Sequence, residues 1–257
     1  MTYKTIKAII AAILNGENIA ENIATLINNA VDHVKKTGRA LTIDDVKKLY
    51  GLHVTQKHTG KMSGMLSLST NMLINKFCLQ HRNTCGSICQ HCYANTLLTM
   101  RKTMQKALTY NSILLKNVVL PLEILPRINS RVFRFESFGD LDNVNQAINY
   151  LNICRVNPET TFALWTKNPV ILNRAFKAGY TKPENLVIIY SSLFVNDVQS
   201  GLRMKRVYKW IDKVFTVYDK KTIKRENIAI NCGARNCFTC QRCYSKDTET
   251  IINEQLK

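Results

Sequence analysis

Acidic side chains are scarce in this chain: 18 Asp and Glu stand against 36 Lys and Arg in 257 residues, a formal net charge of +18. Such an excess creates a field that draws polyanions, so a nucleic acid, DNA or RNA, is an expected partner. The cations are spread along the chain, in Lys35-Lys36, Lys47-Lys48, Arg101-Lys102, Lys205-Arg206, Lys220-Lys221 and Lys224-Arg225. No aromatic-interleaved strand of an RNA-recognition type accompanies them. A Lys-, Asn- and Ile-rich composition imposed by an AT-rich genome is the competing explanation of the charge. The common catalytic signatures are missing too. There is no Walker loop and no dinucleotide Gly-X-Gly-X-X-Gly, which removes the common nucleotide-binding enzyme classes. His53, His58 and His81 lack the mutual spacing of metal ligands, and no His-Glu-X-X-His pair occurs. Nor is there a membrane-length apolar run. The stretch Ile6–Leu14 is too short to span a bilayer, lacks a cleavage site and passes straight into an amphipathic helix, so neither anchor nor signal peptide is expected.

Cysteine is where the sequence becomes specific. Cys85, Cys89 and Cys92 follow a CX3CX2C spacing, and Cys232, Cys237, Cys240 and Cys243 follow CX4CX2CX2C. Three thiolates in one loop hold three corners of a cubane iron–sulfur cluster and leave the fourth iron open for a small molecule, whereas structural zinc wants four ligands. The second group has the ferredoxin-like run CX2CX2C, with Cys232 available as fourth ligand, and reads as a closed second [4Fe–4S] site. Structural zinc remains the alternative at both groups. Disulfides are not expected: the chain is long enough for its own core, has no secretory signal and carries an odd number of cysteines, 9. A cytosolic, reducing setting follows. Cys154 continues the apolar pattern Ile148, Leu151, Cys154 and reads as a core residue. Cys78 has a spacing that fits no tight loop and is left outside the site.

The first part of the chain, residues 1–60, reads as helical, with Ile19, Ile23, Leu26, Ile27, Ala30 and Val34 on one face. Thr42 with Asp45 predicts an N-cap for a short helix that Gly51 ends. That helix and turn faintly resemble the start of a helix-turn-helix, but Thr55–Gly60 makes a poor recognition helix. From about residue 62, strand-like runs at Met65–Ser69, Val132–Glu136, Thr161–Trp165, Leu186–Tyr190 and Val214–Tyr218 alternate with helical patterns near 93–117, 142–154, 168–178, 197–210 and 219–226. The fold class is therefore α/β: a partial (β/α) barrel of about five to six parallel strands over residues 61–228, with an N-terminal helical appendage and a Cys-rich segment, 229–257, that could fold back over the strand mouth. A doubly wound sheet would give similar periodicity. In either architecture ligands bind on loops after the strands' carboxyl ends. This selects the cysteine loop, Glu136-Ser137-Phe138-Gly139-Asp140, Thr166-Lys167, Ser191-Ser192 and Asp219. Asp140 reads equally as a helix N-cap, Lys167 as a surface lysine, and Trp165 as either core or stacking platform.

A CX3CX2C loop after the first strand of a repeated βα chain resembles the radical S-adenosylmethionine superfamily. The resemblance implies a [4Fe–4S] cluster on Cys85, Cys89 and Cys92 whose open iron chelates S-adenosylmethionine, with His91 near the adenine. Its glycine-rich acidic segment has a counterpart in the loop after the second strand, without the paired glycines, so the carboxylate is either Glu136 or Asp140. The cofactor-contact set on this reading is His91, Tyr93, Glu136, Gly139, Asp140 and Ser191, and the catalytic candidates are Glu136, Asp140 and Lys167. Thr84-Cys85, Cys92-Tyr93-Ala94, Gly139-Asp140, Trp165-Thr166-Lys167 and the run from Cys232-Gly233 to Cys243 also occur in an order that resembles the gene-product-88 family of phage proteins, over about residues 62–245. That resemblance implies a phage-encoded iron–sulfur protein of the host cytoplasm and supplies no reaction. The combined expectation is a radical enzyme acting on a nucleic acid or nucleotide and fed by an electron donor. Its rivals are a non-catalytic basic nucleic-acid-binding protein stapled by iron–sulfur or zinc sites, and an electron-transfer module.

Overall fold

Strands follow one another across a single sheet in the order the chain makes them. In the computed structural model, which describes residues 1–256, these are β1 (Val54–Thr55), β2 (Leu66–Leu68), β3 (Val132–Phe135), β4 (Thr161–Thr166), β5 (Leu186–Ser191), β6 (Lys213–Tyr218) and β7 (Ile251–Gln255). β1 runs antiparallel to β2, and every later pairing is parallel. A doubly wound sheet reverses its strand order at a switch point; this order has no reversal. The sheet is also open. Among the described residues no ladder joins β1 to β7, and the six parallel strands, in line with the five to six expected, fall short of the eight that close a parallel barrel.

Sequential order with right-handed crossovers sends the connecting helices to one face. Side chains alternate along each strand accordingly. Leu68, Phe133, Phe135, Phe162, Leu164, Leu186 and Ile188 point into the large helix-side core. Val132, Ala163, Trp165, Val187 and Ile189 form a smaller apolar cluster on the other face. On the helix side Phe135 stacks on Tyr150 (centroids 4.3 Å, planes at 15°) and on Phe162 (5.3 Å, 12°), each pair adding about 1 kcal/mol beyond burial.

The helices are α1 (Tyr3–Leu14), α2 (Ile19–Thr37), α3 (Ile43–Tyr50), α4 (Lys76–Arg82), α5 (Tyr93–Met100), α6 (Lys102–Asn117), α7 (Val144–Val156), α8 (Pro169–Lys177), α9 (Val198–Val207), α10 (Lys220–Glu226) and the single turn α11 (Cys237–Cys240). The predicted cap is present: Thr42 and Asp45 form a reciprocal capping box on α3, and Gly51 ends it at φ 81°. A Cβ on Gly51 would lie 2.5 Å from Ile10 Cδ1 and 2.8 Å from Tyr110 Cε1, so both conformation and space demand glycine. The three N-terminal helices share the helix-side core, Leu26, Ala30, Val46 and Tyr50 joining Leu114 and Ile124. The stretch after α3 is no recognition helix, since Val54–Thr55 is strand β1. The single helix expected over 93–117 is two, broken at Arg101 (φ −104°, ψ 78°). Among the described residues, no helix is long and apolar enough to cross a membrane.

Candidate cysteine-lined site

The loop leaving β3 turns sharply because Glu136 adopts a left-handed backbone, φ 55°. Its carboxylate, 3% exposed, is held by Thr70 N at 3.2 Å, Thr70 Oγ1 at 3.0 Å and Gln146 Nε2 at 2.7 Å, with the Tyr150 hydroxyl also donating to it. Burial pushes its pKa up to about 7 against the pull of those hydrogen bonds. Glu136 therefore ties the loop to α7 and, through Thr70, to the segment after β2. Gly139 leaves no room for a side chain: a Cβ would collide with Thr70 Oγ1 and lie 2.6 Å from Glu136 Oε2 and 2.9 Å from Thr70 O.

Asp140 is 4% exposed and fastens this loop to the end of β4. One carboxylate oxygen accepts from Leu141 N at 2.7 Å and Thr166 Oγ1 at 2.5 Å, the other from Lys167 N at 2.8 Å. Burial raises its pKa, although the Lys167 charge opposes the shift. It is not the helix cap. Asn143 caps α7 by accepting from Gln146 N.

A cavity of about 50 Å³ opens beside Asp140, lined by Cys78, Cys89, Cys92, Gly139 and Lys167 and flanked by Phe77 and Phe138. The cysteine loop is pinned over the strand ends by Ile88 N and Ser87 Oγ, which donate to Leu193 O at 2.9 and 3.3 Å after β5. Ser87 Oγ in turn accepts from Cys89 N at 3.1 Å. Tyr93, its ring exposed, donates its hydroxyl to Ser137 O and joins the cysteine loop to the β3 loop. Burial pushes the Cys89 thiol up, with the Lys167 charge and the Ser87 hydroxyl pulling the other way. Burial likewise works to discharge Lys167, but Cys89, Asp140, Cys78 and Cys92 outweigh it, so Lys167 stays cationic beyond the usual lysine range.

Besides Glu136 and Tyr93, three further residues expected at this site stand apart from the cavity. Cys85 and His91 are exposed on the loop, and Ser191 is buried at the end of β5; none of them lines it. Cys78, left out by spacing, does. Asn75 brings it there, its side chain accepting from Cys78 N at 3.1 Å at the start of α4 and donating to Asp140 O at 2.9 Å. Burial, then Asp140, drives the Cys78 thiol far above its ordinary value.

The terminal cysteines do not fold over this mouth. Cys237, Cys243 and Tyr244 lie on the sheet face opposite the helices with Val132, Trp165 and Val187. Burial pushes the Cys243 thiol up to about 12, opposed by the Arg134 guanidinium and reinforced by Cys232, Cys237 and Cys240, so the four sulfurs form one electrostatic group. Arg134 lies over the Trp165 ring at 4.0 Å. Its Nε and the Tyr244 hydroxyl are buried without hydrogen-bond partners among the described residues. Lys61 donates to Cys232 O at 3.2 Å and pairs with Glu254 at 2.8 Å, holding the segment before β2 to β7.

A family described as gene product 88 matches residues 34–253. The chain belongs to the gene product 88 family. This is the phage family expected from the order of the short motifs, and the match takes in both cysteine groups of this gene product 88 protein, together with Asp140 and Lys167. Searches of the curated proteins and of the solved structures gave no significant match. Among the described residues, no group of three or more His, Cys, Asp and Glu side chains is arranged to hold a metal ion. A single ion requires its ligands to converge on one point, whereas cluster thiolates each bind their own iron at separate corners. The donor chemistry of both groups, thiols beside the cations Lys167 or Arg134, suits an anionic iron–sulfur cluster, and the orphaned Arg134 Nε and Tyr244 hydroxyl supply donors beside the second.

Proposed function

We propose that this member of the gene product 88 family is an iron–sulfur enzyme of the radical S-adenosylmethionine type that modifies a nucleic acid or nucleotide. The observation that carries the reading is the gathering of Cys89, Cys92, Asp140 and Lys167 around one cavity at the carboxyl ends of sequentially ordered parallel strands, where ligands bind in such sheets. Cys85, Cys89 and Cys92 would hold the [4Fe–4S] cluster, with Cys85 contributed from the exposed start of the loop. When bound, that cluster would leave one iron open to S-adenosylmethionine and, given an electron donor, supply radical chemistry. The chain's own residues shape the setting. Lys167 offsets thiolate charge. Asp140 fixes the β3 loop to β4, and Gly139 allows that loop to pass close over Thr70 and Glu136.

The second group serves as a closed site of structural character. Cys237 and Cys243 pack into the apolar cluster on the sheet face opposite the helices, with Cys240 exposed beside them, and the group staples the Cys-rich segment to that face. Iron–sulfur and zinc are both compatible with four such ligands.

Anaerobic purification with iron and sulfide analysis, followed by electron paramagnetic resonance of the reduced protein with and without S-adenosylmethionine, tests the proposal. A cluster signal that changes on adding the cofactor is the expected result. A signal indifferent to the cofactor removes the enzyme reading, and zinc in place of iron removes the cluster.

A further inference from the structure

The break between α5 and α6 faces α3 across a second concavity, of about 730 Å³, lined by Lys47, His53, Met100, Arg101, Lys102 and Met104. Every ordinarily charged side chain in its lining is cationic. None of Lys47, Arg101 and Lys102 enters a salt bridge among the described residues, where the carboxylates of neighbouring Asp44 and Asp45 are occupied by Gln56 and Arg39. Cations gathered in one hollow without a carboxylate repel one another unless an anion joins them. Met100, Met104 and Ala107 supply apolar lining, and Met100 is 75% exposed, a soft surface suited to the face of a base or sugar. Arg101 gives α6 no side-chain cap, and the first turn of this 16-residue helix carries no acidic residue, so its positive end adds to the same field.

We infer that this hollow is a phosphate-binding site for a nucleic-acid strand. The strand's phosphates meet Arg101, Lys102 and Lys47, and the bases or sugars rest on Met100. His53 is held in place by Asn111, which accepts from His53 N at 2.9 Å and donates to His53 O at 2.8 Å. Burial and the Lys47 charge lower its pKa, so at neutral pH it offers a hydrogen bond without adding charge. Helix α5, 8 residues and about 12 Å long at the usual rise, runs from Cys92 to this hollow. A strand anchored here therefore lies within reach of the cysteine-lined mouth. The site needs no cluster and stands or falls independently of the radical reading.

Fluorescence anisotropy of short single-stranded DNA and RNA probes across a salt series, using the full chain, tests the inference. R101Q/K102Q is compared with K220Q/K221Q, which removes two exposed charges from α10. The first variant should weaken binding about tenfold and flatten the log–log salt slope by about 1.4, two phosphate contacts at ~0.7 each for a single strand. The second should leave both nearly unchanged. Equal losses in the two variants would reduce the hollow to general charge, and an absence of salt-dependent binding by the wild type would remove the partner. Loss of inorganic phosphate binding alone in R101Q/K102Q, with oligonucleotide affinity intact, would make it a free-phosphate site and overturn the nucleic-acid assignment.

Discussion

Thr166 Oγ1 donates to Asp140 Oδ1 at 2.5 Å, joining the loop after β3 to the last residue of β4. With Lys167 N on the other carboxylate oxygen at 2.8 Å, this contact fixes one wall of the cysteine-lined cavity. Asp140→Asn places an amide donor against one of these donors and leaves buried groups unpaired. It should cost about 2–4 kcal/mol. Thr166→Val removes two hydrogen bonds, the one to Asp140 and the one accepted from Asn168 N at 2.9 Å, and should cost about 2 kcal/mol. Urea unfolding midpoints at unchanged m-value measure both; an Asp140→Asn protein as stable as wild type would show that the carboxylate is not a clamp.

Glu136 gives the molecule a pH dependence of definite sign. Its folded pKa, raised to about 7 by burial from an ordinary 4.5, means that the folded state binds more protons than the unfolded state between those values. Stability then falls as pH rises through that window, by up to about 3 kcal/mol, and levels off above it. Denaturation midpoints between pH 4.5 and 8 should show this decline in the wild type and a flatter profile in Glu136→Gln. A wild-type profile that rises with pH across the window would contradict the assignment.

The sequence carried most of the sheet and little of the site's wiring. Val132–Phe135, Thr161–Thr166 and Leu186–Ser191 are apolar runs buried on both faces, and such runs identify themselves. The Thr42–Asp45 box and Gly51 were readable because capping is local chemistry. β7 was not, because Ile251-Ile252-Asn253-Glu254-Gln255 is an edge strand with two apolar residues and takes its place from pairing with β6. Arg101 breaks a periodic helix without proline or glycine to announce it. At the site, local order exposed the cysteine loop, but Glu136 bonded to Tyr150, Asp140 bonded to Thr166, and Cys78 lining the same cavity as Cys89 arise from chain segments brought together only by folding.

Lys167 should tune Cys89. Its charge pulls the thiol pKa down against burial, so Lys167→Met leaves less thiolate at a given pH. In cluster-free protein, alkylation of Cys89 near pH 8, followed by peptide mass spectrometry, should slow several-fold in Lys167→Met and recover in Lys167→Arg. Equal rates in all three proteins would place the ammonium too far away to matter.

The proposed ligation by Cys232, Cys237, Cys240 and Cys243 makes a prediction about the last part of the chain. Lys213, 1% exposed at the start of β6, donates to Thr248 O at 3.2 Å and Glu249 O at 2.9 Å, and β7 pairs with β6 immediately afterwards. Between Cys232 and these contacts the segment has only a small apolar footing, chiefly Phe238 and Tyr244. Ligation would therefore contribute much of its folding free energy. Chelator treatment, or Cys243→Ala, should open the segment to trypsin at Arg235, Arg242 and Lys246, while β2–β6 remain resistant. If the stripped protein is cut no faster there than the loaded one, apolar contacts and hydrogen bonds alone hold the segment, and the second cysteine group is not a staple.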